Sequence, residues 1–150
     1  MSSRIIATLD DWKTLAQEIV LALQPGMILG LSGVLGSGKT TFVQYLAQEL
    51  GETSAPKSPT FALLRTHSLT HPTTAITRLV HVDAYRLERE EDILPLNLEE
   101  ELATPGTLVI IEWPEQVREW ITRQGVAYRE IQIVVEADSQ GNELRRALTS

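Results

Sequence analysis

Two stretches near the start of the chain repeat apolar residues every three or four positions, which is the spacing of an amphipathic helix. The first apolar stripe comprises Trp12, Leu15, Ala16, Ile19, Val20 and Leu23. The second comprises Phe42, Val43, Leu46, Ala47 and Leu50. We expect Asp10 or Asp11 to cap the first helix and the turn residues 24–26 to end it. Gly51 is a natural stop for the second helix.

Other apolar stretches lack this period and predict strands. Residues 27–32 and 108–111 are nearly continuous apolar runs, as in strands that are buried on both faces. Further strands are predicted at residues 4–7, 61–67, 77–83 and 130–136. The polar residues between the strands at 61–67 and 77–83 are suited to a hairpin loop, and the strand at 4–7 is short enough for a sheet edge.

The remaining segments are less regular. The acidic stretch 88–104 is predicted to be helical in pieces, with a break near Pro95. Pro114 is well placed to begin a helix that runs to about Arg123. The tail from residue 138 either forms a hairpin or is loose. Together with the glycine-rich residues 33–38 and Lys39, which separate the strand at 27–32 from the second helix, the elements predict one α/β domain over residues 1–150. It would have a mixed, mainly parallel central sheet flanked by helices in a three-layer, P-loop NTPase-like fold.

The loop between the strand at 27–32 and the second helix carries the clearest chemical signal. It is a match to GxxxxGK[ST] at every fixed position and reads Gly33, Val34, Leu35, Gly36, Ser37, Gly38, Lys39, Thr40. From the composition of this chain, roughly 0.002 accidental matches are expected. Glycines let successive N–H groups point inward at an anion, and the next helix adds the positive end of its dipole.

Each polar residue of this motif has a role in binding a nucleoside triphosphate. Lys39 supplies a point charge to the β- and γ-phosphates, and the hydroxyl of Thr40 is placed to ligate Mg²⁺. Thr41 either hydrogen-bonds the α-phosphate or simply begins the helix. The motif therefore predicts ATP or ADP with Mg²⁺ as the ligand.

Two predicted strands end in acids. Asp83 follows the apolar residues 79–82, and Glu112 follows 108–111. Ligands of a parallel α/β sheet bind beyond the carboxyl ends of its strands, so both acids are candidates for holding Mg²⁺ or orienting water. The alternative is that each acid merely ends a strand or caps the next turn.

Three further positions leave alternatives open. His81 shares a strand face with Asp83, and a packing role is favoured over a place in the site. Trp113 is either a core residue or a platform beside the nucleotide. Ser58 and Thr60 lie where hydroxyl groups would suit a switch that senses the γ-phosphate, or where an ordinary turn would suffice. Trp12 and Trp120 fit helix stripes and are expected in the core.

Composition excludes several classes of function. The chain has no cysteine and three histidines without ligand spacing, which argues against disulfides and zinc sites. Its net charge of −7 argues against gripping DNA or RNA unaided. The negative charge is concentrated between Glu88 and Glu101, a stretch with seven acidic residues, one basic residue and a net charge of −6. No signal peptide or membrane span is visible, so we expect a cytoplasmic protein without membrane contacts.

Four segments in order resemble the TsaE (YjeE) family of small bacterial P-loop ATPases. They are GVLGSGKTTF at 33–42, SPTFALL at 58–64, HVDAYRL at 81–87 and IEWPE at 111–115. The family's loop commonly reads GDLGAGKT, so Val34 and Ser37 are departures. By position, the resemblance assigns phosphate and Mg²⁺ binding to Lys39 and Thr40, and a metal and water role to Asp83 and Glu112. It also assigns switch-like roles to Ser58 and Thr60 and places Trp113 beside the site.

The resemblance implies a role in forming threonylcarbamoyladenosine (t6A) in tRNA. Proteins of this family hydrolyse ATP while docked on the TsaD–TsaB heterodimer, so tRNA would be met only through that complex. Other interpretations compete. A small-molecule kinase would need an acceptor pocket and arginine clamps, for which Arg86 and Arg89 are the nearby candidates. A GTPase would carry an N-K-x-D motif, which is absent from the sequence. A scaffold would bind nucleotide without turning it over.

Overall fold

The computed structural model describes residues 2–53 and 63–150 of the chain. Its strands are β1 Ser2–Ile6, β2 Ile28–Gly33, β3 Leu64–Ser68, β4 Arg78–Asp83, β5 Thr107–Glu112, β6 Tyr128–Ala137 and β7 Glu143–Thr149. Its α-helices are α1 Leu9–Val20, α2 Lys39–Glu49, α3 Leu98–Ala103 and α4 Arg118–Gln124. Short 3-10 helices cover Ala84–Arg86, Glu90–Leu96 and Pro114–Val117. In these ranges no helix combines the length and the apolar character that crossing a membrane requires.

The seven strands form one mixed sheet in the order β1-β7-β6-β2-β5-β4-β3. The four central strands are parallel, because β2 pairs with both β5 and β6 and β4 pairs with β5. Antiparallel strands flank this parallel group. On one side β3 pairs with β4, and on the other β7 pairs with β6 while β1 pairs with β7 at the edge. The sheet is therefore mainly parallel at its centre, as the sequence predicts, and the edge position of β1 is confirmed.

Helices cover both faces of this sheet because side chains alternate along each buried strand. On β2, Leu29 and Leu31 pack with the apolar stripes of α1 and α2. Ile28 points the other way and packs with residues of α3 and α4, Trp120 among them. The helix stripes predicted from the sequence are buried except for Val20, which is half-buried, and Trp12 and Trp120 are core residues as expected.

Two local predictions need correction. The cap of α1 is Thr8, whose hydroxyl accepts from the Asp11 amide, while the Asp11 carboxylate accepts from the Thr8 amide at 2.9 Å. Asp11 is thus the partner in a capping box rather than the cap itself. The predicted break near Pro95 is confirmed, since the two helical pieces of the acidic stretch meet at Asn97, which adopts φ 52°. The helix expected from Pro114 begins as a 3-10 turn, and α4 starts only at Arg118.

For the tail, the structure contains the hairpin alternative. Strands β6 and β7 pair antiparallel, with Ile131 opposite Thr149 at one end and Ala137 opposite Glu143 at the other. The turn between them is closed by the Asp138 carboxylate, which accepts from the backbone amides of Gln140 and Asn142. This hairpin places β7 beside the parallel strands and within reach of the glycine-rich loop.

Candidate functional site

The glycine-rich loop (residues 33–38) joins the end of β2 to the start of α2. Gly38 caps α2 with φ 110°, and a Cβ atom there would lie 2.5 Å from Cζ2 of Trp12. A Cβ atom at Gly33 would lie 2.6 Å from the carbonyl oxygen of Ile133. Both glycines are thus required by close packing around the loop, and Gly38 by its backbone conformation as well.

Lys39 is the first residue of α2, and its side chain folds back over the loop. Its ammonium donates to the carbonyl oxygens of Gly33 at 2.6 Å and Val34 at 2.9 Å. Burial lowers the pKa of Lys39, and the neighbouring carboxylate of Glu112 works against that shift. The hydrogen bonds to the two carbonyl oxygens hold the Lys39 ammonium against the loop, at the site where an anion would bind.

The two strand-end acids lie side by side. Strands β4 and β5 are parallel neighbours in which Asp83 is the register partner of Glu112. Glu112 is buried, and both of its carboxylate oxygens lie 3.4 Å from the Thr40 hydroxyl. The Asp83 carboxylate accepts from the amide of Tyr85 at 3.0 Å, so it caps the following turn while also facing the site.

These groups surround one cavity of about 300 Å³. Its lining consists of Leu35, Gly36, Gly38, Lys39, Thr40, Thr41, Asp83, Tyr85, Glu112 and Trp113. The structure therefore brings together most of the residues singled out in the sequence. Gly33, Val34 and Ser37 shape the loop without lining the cavity, with Val34 exposed and Ser37 fully buried. Ser58 and Thr60 lie outside the described residues.

Two aromatic side chains form one wall of the cavity. Trp113 is half-buried and adopts φ 62°, an unusual conformation for a bulky residue. Its ring centroid lies 4.3 Å from the Lys39 ammonium and 4.9 Å from the ring of Tyr85. Trp113 is thus at the site rather than wholly in the core. Sequence reasoning missed Tyr85, and the signal that points to it is an aromatic residue close behind a strand-end acid.

His81 does not line the cavity, in keeping with the favoured packing role, but it does contact a residue of the site. It is buried on β4, and its Nε2 atom lies 2.5 Å from Oε2 of Glu112. Since Glu112 also contacts Thr40, its carboxylate is oriented from two sides. The strand period predicted the face on which His81 lies, but not its partner on β5.

Part of the acidic stretch has an internal role. Glu90 accepts from the backbone amide of Trp120, and Glu99 accepts from the indole Nε1 of Trp120 at 2.9 Å. Arg78 pairs with Glu101 at the start of β4. These acids hold the irregular segment 90–103 against α4 and the sheet, so they are structural groups and not only a charged surface.

The described residues contain no cluster of three or more His, Asp or Glu side chains suited to a metal. The cavity instead offers the hydroxyl of Thr40 beside the carboxylates of Asp83 and Glu112, all of which line it. Such a small set of oxygen donors fits Mg²⁺, which keeps several waters and binds through one or two carboxylates together with phosphate oxygens.

The fold and the loop define a mixed α/β protein with a glycine-rich turn and a cavity at the carboxyl edge of its parallel strands. A family model described as "Threonylcarbamoyl adenosine biosynthesis protein TsaE" matches residues 6–147. The chain belongs to the TsaE family of t6A biosynthesis proteins. The resemblance found in its motifs is thereby confirmed.

Individual relatives agree with this assignment. The tRNA threonylcarbamoyladenosine biosynthesis protein TsaE of Rickettsia bellii is 37% identical over 118 residues, 78% of this chain and 77% of that protein. The protein of the same name from Bacillus subtilis is 31% identical over 127 residues, 85% of this chain and 72% of that protein. The crystal structure of Bacillus subtilis YdiB superposes with a TM-score of 0.62 at 22% identity, covering 99% of this chain and 84% of that one. That likeness supports the fold.

Proposed function

We propose that this protein is an ATP-binding P-loop ATPase that hydrolyses slowly alone and supports repeated rounds of tRNA t6A modification. The observation that carries the proposal is the convergence of Lys39, Thr40, Asp83 and Glu112 on the cavity at the glycine-rich loop. Membership of the TsaE family supplies the pathway. The three-layer P-loop NTPase-like fold is part of the same proposal.

Phosphate binding would use the loop and the start of α2. Backbone N–H groups of a glycine-rich turn and the positive end of a helix dipole both favour negative charge. Lys39 adds a full charge beside them, and the hydroxyl of Thr41 lines the same cavity. Trp113 and Tyr85 would shield the phosphates from water on the opposite wall.

Thr40 and Glu112 would hold Mg²⁺ together with Asp83, and either acid would orient the attacking water. When bound, the ion would neutralise charge on the β- and γ-phosphates. Lys39 would stabilise the charge that develops on the transferred phosphoryl group. Catalysis of this kind rests on positioning and electrostatics, so displacement of one group by a fraction of an ångström would lower the rate.

Slow turnover is expected because no arginine lines the cavity among the described residues. The absence of an arginine finger commonly lowers phosphoryl-transfer rates by a factor on the order of 10³–10⁵. We propose that docking on the TsaD–TsaB heterodimer supplies the missing positive charge. Contact with tRNA would be indirect, in keeping with a net charge of −7, and the cytoplasmic location stays a prediction.

The small-molecule kinase has less support. Arg86 and Arg89 are its candidate clamps, and neither lines the cavity. The Arg89 guanidinium is largely exposed and lies 3.8 Å from Asp92. Adding sugar, nucleoside or amino-acid acceptors to the ATPase assay separates the two functions, since a kinase releases ADP only in step with a phosphorylated acceptor.

The test of the proposal begins with calorimetry of Mg·ADP binding. Wild type should bind, Lys39→Ala should lose binding, and Lys13→Ala should behave as wild type because Lys13 is exposed on α1. Asp83→Ala and Glu112→Ala should reduce ATP hydrolysis more than binding. No heat with well-folded wild type would overturn nucleotide binding.

Reconstitution of tRNA modification tests the role of the partners. With TsaD, TsaB and tRNA, addition of the wild-type protein should raise the number of t6A turnovers and the rate of ADP formation. If the isolated protein already hydrolyses ATP at the rate reached with TsaD and TsaB, the partner-stimulated mechanism is wrong.

A further inference from the structure

The side chain of Arg145 reaches from β7 to the back of the glycine-rich loop. Its Nε atom donates to the carbonyl oxygen of Ser37 at 2.8 Å, and Nη2 donates to that of Gly36 at 3.1 Å. Nη2 also lies 3.1 Å from a carboxylate oxygen of Glu143. Arg145 is more than 100 positions away from the loop in sequence, and it does not line the cavity.

The two carbonyl groups that Arg145 binds are adjacent in the loop. In a turn whose N–H groups gather around an anion, the carbonyl oxygens point the other way and need donors of their own. A guanidinium is a planar fork of five N–H donors, so it can bind two adjacent carbonyls at once. In the sheet, the strand of Arg145 lies on one side of β2, and the strands that end in Asp83 and Glu112 lie on the other.

Other contacts hold this part of the loop by different groups. The Ser37 amide donates to the carbonyl of Val34 at 3.1 Å, the buried Ser37 hydroxyl accepts from the Lys39 ammonium at 3.4 Å, and Trp12 packs beneath Gly38. Gly36 itself has no atom within 4 Å of the place where a Cβ would be. None of these contacts reaches the carbonyl oxygens of Gly36 and Ser37, which Arg145 restrains.

The next residue provides a natural comparison. Arg146 lies on the same strand but points to the other face, where it pairs with Glu136 at 2.9 Å and contacts Ser3. Both arginines thus make surface ion pairs within the terminal strands. Only Arg145 of the two touches the loop.

We propose that Arg145 is a positioning residue for nucleotide binding: it fixes the Gly36–Ser37 and Ser37–Gly38 peptides so that the loop amides stay directed at the phosphates. The inference deepens the proposed function, on which it rests for the identity of the ligand. It assigns to the C-terminal hairpin a direct influence on nucleotide affinity.

The test compares Arg145→Ala, Arg145→Lys and Arg146→Ala with wild type. We expect Arg145→Ala to weaken Mg·ADP binding about tenfold in calorimetry, because two hydrogen bonds from a charged group are lost. Arg145→Lys should recover part of that loss, since an ammonium keeps the charge without the fork. Arg146→Ala should bind within about twofold of wild type.

Hydrogen exchange of the amides at 33–39 gives a second measurement that needs no nucleotide. Exchange should speed up in Arg145→Ala and stay unchanged in Arg146→Ala, with both variants folded by circular dichroism. If Arg145→Ala does not fold, the Mg·ADP affinities of Arg145→Lys and Arg146→Ala are compared instead. A partial loss of affinity in Arg145→Lys alone then supports the proposal. Wild-type affinity in Arg145→Ala, or an equal loss in both alanine variants, would overturn the proposal.

Failure of the proposed function gives a different pattern. If wild type binds neither Mg·ADP nor Mg·ATP, nucleotide binding is wrong, whereas hydrogen exchange still measures the restraint. Faster loop exchange confined to Arg145→Ala would then support the structural part of the inference. Unchanged exchange would overturn it.

Discussion

Substitution of Gly38 by alanine tests the packing beneath the glycine-rich loop. Gly38 has φ 110°, a conformation that side chains disfavour, and its added Cβ would lie 2.5 Å from Cζ2 and 3.0 Å from Cη2 of Trp12. Trp12 is itself buried on α1 beside Phe42, with ring centroids 6.1 Å apart, so it has little room to move. Gly38→Ala therefore introduces backbone strain and overpacking at one position.

The expected destabilisation follows from these two contributions. A residue held in a sparsely populated backbone region costs about 1–3 kcal/mol. An extra methyl group forced into a packed site costs about 1–3 kcal/mol. Together the free energy of unfolding should fall by about 2–6 kcal/mol. At roughly 2–4 °C per kcal/mol for a chain of this size, Tm should fall by about 4–24 °C.

Gly36→Ala is the matched control. Gly36 has φ 77°, but nothing lies within 4 Å of the position that the added methyl group would take. The backbone contribution of about 1–2 kcal/mol is then the whole effect. Thermal and urea unfolding of both variants, followed by circular dichroism, measure the difference, and Mg·ADP calorimetry reports whether the loop still binds.

A double-mutant cycle isolates the contact with the indole. Trp12→Phe removes the two indole atoms that meet the new methyl group, so Gly38→Ala should be less harmful in that background by about 1–3 kcal/mol. Equal destabilisation by Gly36→Ala and Gly38→Ala, with no coupling to Trp12, would refute the reasoning.

Three other changes have defined outcomes. Burial alone would raise the pKa of Glu130, but hydrogen bonds from Tyr128 and Arg118 outweigh burial and hold the pKa below its ordinary 4.5. The ionised carboxylate therefore stabilises the folded protein fully above pH 4.5, and this stabilisation is lost as the pH falls through the lowered pKa. Thermal unfolding should show Glu130→Gln less stable than wild type at pH 7, with the gap closing in acid; a pH-independent gap would contradict this. Trp120→Phe should cost about 2–4 kcal/mol in urea unfolding, because it leaves a cavity and unpairs Glu99; a loss no larger than for Glu99→Gln would contradict it. Trp113→Leu should weaken Mg·ATP binding while changing Tm little, and unchanged affinity would remove this ring from the site.

Several contacts could not be predicted because they join distant parts of the chain. The strand period put His81 on the face of Asp83, but its contact with Glu112 depends on β4 and β5 being neighbours in that register. Arg145 lies in a tail without a recognised pattern, and its role follows from how the terminal hairpin joins the sheet. In the sequence Glu90 is one acid of a charged run, and only the fold brings the backbone amide of Trp120 beside it.

The sequence by itself determined the local features, which are the helix stripes, the buried strands and the turn from Gly33 to Lys39. The spacing of the glycines in that turn is enough to predict a backbone able to wrap around an anion. It also indicated the edge of the sheet at which Asp83 and Glu112 lie, because strand ends gather there in any parallel α/β sheet. The tertiary structure decided which side chains meet at that edge. Strand order and register are set by packing over the whole chain, and a shift of one residue would turn His81 away from Glu112 and Arg145 away from the loop.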